Sequence, residues 1–129
     1  QEDAEAGPRF AFVDIFVDSG EAPLAAWQVD FRAVSGDVKI VGITGGEAEA
    51  YRTPPHYDPR AMQQERVILA AFSTADAAEL PTGRSRVARI NVMIEGPVDP
   101  AYDLKLTTAA NPNGERIQAT TEFQQGKVD

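Results

Sequence analysis

Apolar and polar residues alternate with a period of two along much of this chain. In residues 24–33, one side carries Trp27, Val29 and Phe31, whereas the other side is polar. Successive residues of an extended strand point to opposite faces of a sheet, so this pattern predicts one buried face and one exposed face. The chain is therefore restricted to folds that pack half-buried strands against one another.

Six further segments have strand character: residues 10–18, 38–44, 66–73, 84–95, 102–106 and 117–123. Turn-forming residues separate several of them, most clearly at 111–114, which reads Asn-Pro-Asn-Gly. Segment 66–73 is apolar on both faces, which predicts a central strand. The one helical expectation is a short turn within residues 59–65, after Asp58. The pattern predicts an all-β antiparallel β-sandwich of about seven to nine strands with one long loop.

The size of the chain fits a single domain of 129 residues. We predict a flexible N-terminal arm at 1–8, one β-sandwich domain at 9–124 and a polar C-terminal tail at 125–129. Hydrophobic content of 43% and charged content of 25% are ordinary for a globular domain. No apolar run approaches the ~20 residues needed for a transmembrane segment.

Charge and cysteine content exclude several classes of function. Twelve basic and twenty acidic residues give a net charge of -8, which argues against nucleic acid as a partner. The arginines at 84, 86 and 89 form the densest basic stretch, which we interpret as a solvated sheet face. The absence of cysteine excludes thiolate metal sites and disulfides. The polar, acidic start of the chain favours an exported protein (periplasmic, cell-surface or secreted) after signal-peptide removal.

Catalytic groups are sparse. His56 is the only histidine, and no nucleophile-elbow motif surrounds a serine. Acidic side chains at 14, 18 and 30 could serve glycoside hydrolysis or bind calcium, but no calcium-loop motif appears. We interpret them as a solvated acidic face, and we predict no enzyme activity, no metal and no cofactor.

Residues 45–65 form a connection without strand periodicity. Loops of this length in a compact domain are uncommon and are often functional. Prolines stiffen it, and its tyrosines have the amphipathic character of binding surfaces. We predict that the partner-binding residues are Tyr51, Arg52, His56, Tyr57 and Asp58.

The other aromatic residues fall into two groups. The first is predicted to lie in the core and comprises Trp27, Phe31, Phe72 and Phe123. The second comprises Phe10, Phe12 and Phe16, which share a strand face with acidic residues. We predict that this second group packs under the long loop, because large exposed apolar patches are rare on monomers. The alternative is an exposed apolar patch.

Three segments resemble cohesin-type domains. Residues 23–31 read Pro-Leu-Ala-Ala-Trp-Gln-Val-Asp-Phe, and the segments 38–43 and 82–92 are similar to later strands of that family. The resemblance extends in order and spacing over roughly residues 10–123. It implies a jelly-roll sandwich related in shape to some carbohydrate-binding modules, and a non-catalytic role at the cell surface or in an exported protein. Cohesins bind dockerin modules through one sheet face, but no dockerin-contact motif is legible here.

The leading hypothesis is an exported protein-interaction or structural module that binds a protein partner through a sheet face or the 45–65 loop. The alternative is a carbohydrate-binding module, which would need Tyr51, Tyr57 and some of the phenylalanines to form an open, flat row. A third hypothesis is self-association through an unprotected sheet edge.

Overall fold

The computed structural model describes residues 8–127, so the arm predicted at 1–8 lies almost wholly outside the described residues, as does the end of the tail. Within that range the chain forms seven strands. They are β1 (Arg9–Asp18), β2 (Ala26–Ser35), β3 (Asp37–Gly45), β4 (Arg66–Phe72), β5 (Arg84–Glu95), β6 (Ala101–Ala110) and β7 (Thr120–Lys127). Three single-turn 3-10 helices lie in the connections, at Glu49–Tyr51, Pro59–Ala61 and Ala77–Glu79.

The strands form two antiparallel sheets. The four-stranded sheet has the order β3-β5-β1-β7, and the three-stranded sheet has the order β4-β2-β6. The predicted antiparallel β-sandwich is therefore confirmed. Among residues 8–127, no helix is long and apolar enough to cross a membrane.

The core lies between the inner faces of the two sheets. Several residues that the alternation places inward are buried, among them Val13, Ile15 and Val17 of β1 and Trp27 and Phe31 of β2. Phe123 of β7, also predicted as a core residue, is half-buried and packs against this core. Burial of a large apolar side chain contributes about 1.5–3 kcal/mol to folding. The period-two pattern therefore defines the layer to which each of these side chains belongs.

Strand β4 lies at an edge of its sheet, not at its centre as predicted. Along its length β4 pairs with β2, and on its other side a single bridge joins Ala70 to His56. Its inner side chains Val67 and Leu69 are buried, whereas Ile68 and Phe72 are exposed. The prediction that Phe72 is a core residue is therefore wrong. The alternate residues of β4 are all apolar, but only one side meets the opposite sheet.

Two further observations concern the chain around β7 and the turn at 59–65. Ile117 and Ala119 precede β7, which continues to Lys127, past the predicted domain boundary at residue 124. The short helical turn is confirmed as Pro59–Ala61, where the Asp58 side chain accepts a hydrogen bond from the Arg60 N–H at 2.9 Å. Asp58 is thus an N-cap, a role suited to its short carboxylate.

Candidate functional site

The connection between β3 and β4 is hydrogen-bonded to the four-stranded sheet at its start and at its end. At its start, the Gly46 N–H donates to the Tyr51 carbonyl at 2.7 Å, and the Glu47 N–H donates to the Arg86 carbonyl at 2.9 Å. The Arg86 N–H in turn donates to the Glu47 carboxylate at 2.7 Å. At its end, the Gln63 N–H donates to the Ile40 carbonyl at 2.8 Å. This loop is therefore an integral part of the sandwich.

Tyr51 is a core residue. Its side chain is 2% exposed, and its ring packs edge-on against Trp27 at 6.1 Å between centroids. Its hydroxyl donates to the Leu24 carbonyl at 2.8 Å, and burial raises the pKa of this phenol above its ordinary value. The prediction that Tyr51 lies on a binding surface is therefore wrong, because the loop folds back and places the ring over the end of the core.

The other predicted site residues differ in how exposed their side chains are. Tyr57 is half-buried and packs against the core. Arg52, His56 and Asp58 are exposed. The Arg60 side chain also bonds the Asp58 carboxylate, which lowers the pKa of Asp58. Three of the five residues are thus exposed, whereas Tyr57 is partly covered.

His56 connects the loop to the three-stranded sheet. Its N–H donates to the Ala70 carbonyl at 2.7 Å, and the Ala70 N–H donates back to the His56 carbonyl at 3.0 Å. Directly opposed residues of an antiparallel pair point to the same face. His56 therefore lies beside the outer face of the three-stranded sheet, in register with Ala70.

At one end of that outer face, the side chains beside Phe72 are short and apolar. In the outermost row, Phe72 pairs with Ala26, which pairs with Ala110 on β6. The next row contains Ala70, and Ile68 lies beyond it. Phe72 is 69% exposed and Ile68 is 44% exposed. Two large apolar side chains therefore project from this face. Alanines neighbour Phe72, whereas Gln28 and Thr108 share the row of Ala70, and Asp30 and Lys105 share the row of Ile68.

The other half of the face is charged, and two ion pairs neutralise part of that charge. Arg66 donates to both oxygens of Asp30, at 3.0 and 2.6 Å, and Arg32 lies 3.8 Å from Asp103. The hydrogen bonds from Arg66 lower the pKa of Asp30. An open groove of about 600 Å³ continues from this half to the loop and is lined by Asp58, Arg60, Ala61, Arg66, Val67 and Ile68.

The Asp30–Arg66 pair should make stability depend on pH. Because the folded-state pKa of Asp30 is lowered, its contribution is complete above the ordinary aspartate pKa of about 3.9 and is lost as the pH falls through the folded-state value. Asp30→Asn should therefore lower the free energy of unfolding at neutral pH by up to about 1 kcal/mol, as expected for an exposed pair. Urea unfolding at neutral and acidic pH checks this. A difference that stays constant down to acidic pH would contradict it.

On the outer face of the four-stranded sheet, arginine side chains cover aromatic rings through cation–π contacts. The Arg89 guanidinium lies 4.0 Å from the centre of the Phe12 ring, and that of Arg84 lies 3.8 Å from Phe16. Arg89 also pairs with Asp14 at 2.6 Å. Phe12 and Phe16 are therefore covered by arginines from β5 rather than by the long loop as predicted.

Within residues 8–127, the flat aromatic row required for sugar binding is not formed. Tyr51 is buried, Tyr57 is half-buried, and the arginines cover Phe12 and Phe16. Phe10 is 50% exposed, but it lies at the start of β1, outside those arginine contacts. The exposed aromatic residue of the three-stranded sheet is Phe72, which the sequence interpretation had placed in the core.

The described residues do not show a catalytic arrangement around His56. In residues 8–127, no hydroxyl or carboxylate forms a hydrogen bond with the His56 ring. Over the same range, no three histidine, aspartate or glutamate side chains come together as a metal-binding group.

Similar folds occur among solved structures. A complex of a CaDoc0917 variant with CaCohA2 at pH 5.5 contains a chain that matches with a TM-score of 0.63 and 10% identity, covering 84% of this chain and 82% of the other. A cohesin module from a family 33 glycoside hydrolase of Clostridium perfringens matches with a TM-score of 0.55 and 14% identity, covering 85% and 76%. The fold is cohesin-like. No protein-family model and no curated protein sequence matches this chain.

Proposed function

We propose that this cohesin-like chain is a non-catalytic protein-interaction module that binds a protein partner through the outer face of its three-stranded sheet. The observation that carries the proposal is the exposure of Ile68 and Phe72 on one strand of that face. The predicted loop residues Arg52, His56 and Asp58 would border the contact. An exported location belongs to the proposal and is supported by the cohesin-like resemblance.

The shape of this face suits a protein partner. Alanines at 26, 70 and 110 leave the backbone low beside Phe72, so a partner's side chains can approach the sheet closely. Aromatic anchors near the centre of an interface commonly carry most of its binding energy. The internally paired charges beyond Ile68 would fix the orientation of the partner without a large cost of desolvation.

The comparisons support this choice. The CaDoc0917–CaCohA2 structure is a complex between two proteins, and one of its chains shares this fold. A glycan partner, in contrast, would find no row of exposed aromatic residues on the two sheets described for residues 8–127. We therefore propose a protein partner rather than a sugar.

The test uses the immobilised domain as bait for proteins exported by the source organism, followed by affinity measurements on the protein recovered. Phe72→Ser and Ile68→Ser should each weaken binding by a factor of about 30, which corresponds to about 2 kcal/mol. Both positions are exposed, so the stability should change by less than about 0.5 kcal/mol.

Phe10→Ser is the matched control, because Phe10 is also an exposed aromatic residue on a strand but belongs to the other sheet. It should leave the affinity unchanged. The proposed face would be wrong if Phe10→Ser abolished binding while Phe72→Ser retained it. Circular dichroism of each variant verifies that the sandwich remains folded. Deleting the loop is not a useful test, since Tyr51 belongs to the core.

A further inference from the structure

The connection between β6 and β7 begins with a tight turn that is held by Asn111. The Gly114 N–H donates to the Asn111 carbonyl at 3.0 Å, and the Asn111 N–H donates to the Glu115 carbonyl at 2.9 Å. The Asn111 side-chain oxygen accepts from the N–H groups of Asn113 and Glu115, both at 3.0 Å. Both the backbone and the side chain of Asn111 are therefore held by hydrogen bonds, whereas Asn113 is exposed at the tip of the turn.

Asn113 and Gly114 combine accessibility with little steric protection. Within the described residues, the Asn113 side chain forms no hydrogen bond. Gly114 has a φ of +81°, and the space where a β-carbon would lie contains no atom within 4 Å. A glycine places no side chain beside its backbone nitrogen. The hydrogen bond from the Gly114 N–H to the Asn111 carbonyl must open before that nitrogen can attack, and exposed turns open locally at low cost in free energy.

We propose that Asn113 is a site of spontaneous deamidation. The Gly114 nitrogen gives up its proton to solvent and attacks the side-chain carbonyl carbon (Cγ) of Asn113. A bond forms between this nitrogen and Cγ, the bond from Cγ to Nδ2 breaks, and ammonia leaves. Water then opens the resulting five-membered succinimide at either carbonyl, which yields aspartate or isoaspartate. The reaction consumes one water, releases one ammonia and involves no change of oxidation state.

The other two asparagines of the chain are protected. Asn111 precedes Pro112, whose nitrogen carries no hydrogen and cannot attack. Asn91 lies within β5, which pairs on both sides in its sheet, and the next residue is the β-branched Val92. The chain thus contains its own internal controls, and the modification should be confined to one asparagine.

Isoaspartate would alter the edge of the three-stranded sheet. It adds one carbon to the backbone within the turn, next to the bridge that joins Ala110 to Arg116 and the hydrogen bond from the Ile117 N–H to the Ala109 carbonyl. Ala110 belongs to the same row as Phe72. An effect of ageing on partner binding rests on the proposed function, whereas the deamidation itself does not.

Peptide mapping by mass spectrometry tests the reaction on the full chain, after incubation for weeks at mildly alkaline pH. The peptide that contains Asn113 should gain one mass unit and separate into two isomers, while the peptide that contains Asn91 stays unchanged. Fragment ions should place the change at Asn113 and not at Asn111. Asn113→Gln should remove the product, because a glutamine side chain would have to close a less favourable six-membered ring.

A synthetic peptide of residues 108–118 serves as the reference for an unprotected chain. The proposal is overturned if this peptide converts fully while Asn113 of the folded chain remains intact. It is equally overturned if Asn91 converts as fast as Asn113. Because the readout is a mass, its failure is distinct from a failure of partner binding.

Discussion

Tyr51→Ala should lower the free energy of unfolding by about 3–5 kcal/mol, the usual cost of truncating a large buried aromatic residue. The ring is 2% exposed and packs against Trp27, so its removal leaves a cavity next to the largest side chain of the core. Its hydroxyl also holds the Leu24 carbonyl. Urea unfolding followed by fluorescence of Trp27, which is the only tryptophan, measures the change.

Two further variants separate the contributions to this effect. Tyr51→Phe keeps the ring and removes the hydrogen bond to Leu24, which should cost about 1 kcal/mol. His56→Ala changes an exposed side chain of the same loop and should cost less than about 0.5 kcal/mol. If Tyr51→Ala were no more damaging than His56→Ala, the ring would not belong to the core.

The position of Tyr51 shows where sequence patterns lose their information. Val13, Ile15 and Val17 could be assigned to the core because alternation along a strand determines the face on which each side chain lies. The segment around Tyr51 has no such periodicity. Its burial depends on the path of the loop across the end of the sandwich, and that path is determined by contacts distant in sequence.

Phe72 illustrates a second limit. Alternation assigns Ile68 and Phe72 to the face opposite Val67 and Leu69, but it does not tell whether another layer covers that face. The continuous apolar run of β4 therefore predicted a central strand, whereas the strand is at the edge and its outer residues meet solvent. Such a mismatch between apolar character and exposure is typical of interaction surfaces. The exposure of Phe72 could be recognised only once the order of the strands in the sheet was known.

The phenylalanines of β1 show the same limit on the other sheet. Their placement on one outer face followed from the alternation. The alternation did not predict what covers these rings. Arg84 and Arg89 belong to β5, about seventy residues away along the chain, and strand pairing brings them to Phe16 and Phe12. The arginine group interpreted as a solvated face also shields apolar rings. This shielding leaves the face that carries Phe72 as the more open apolar surface of the two sheets.

The passage from β3 into the loop requires close contact between two backbones. A β-carbon at Gly46 would clash with the Arg86 carbonyl oxygen and would lie 2.7 Å from the Val87 α-carbon. Strand β5 cannot yield easily, because it is paired on both sides, with β3 and with β1. The close approach also permits the hydrogen bond from the Glu47 N–H to the Arg86 carbonyl, which directs the chain toward Tyr51.

Gly46→Ala should therefore destabilise the domain by about 3 kcal/mol or more, at the upper end of the range for overpacked positions, because backbone atoms rather than a flexible side chain stand in the way. Gly42→Ala is the matched control. Gly42 lies on β3, which ends one residue before Gly46. Its nearest neighbour would be 3.7 Å from an added β-carbon, so the cost should stay below about 1 kcal/mol. Urea unfolding compares the two variants, and the soluble fraction on expression provides a second readout should Gly46→Ala fail to fold. Equal midpoints for the two variants would show that the backbones do not approach as closely as described, and the burial of Tyr51 beside them would then also be in question.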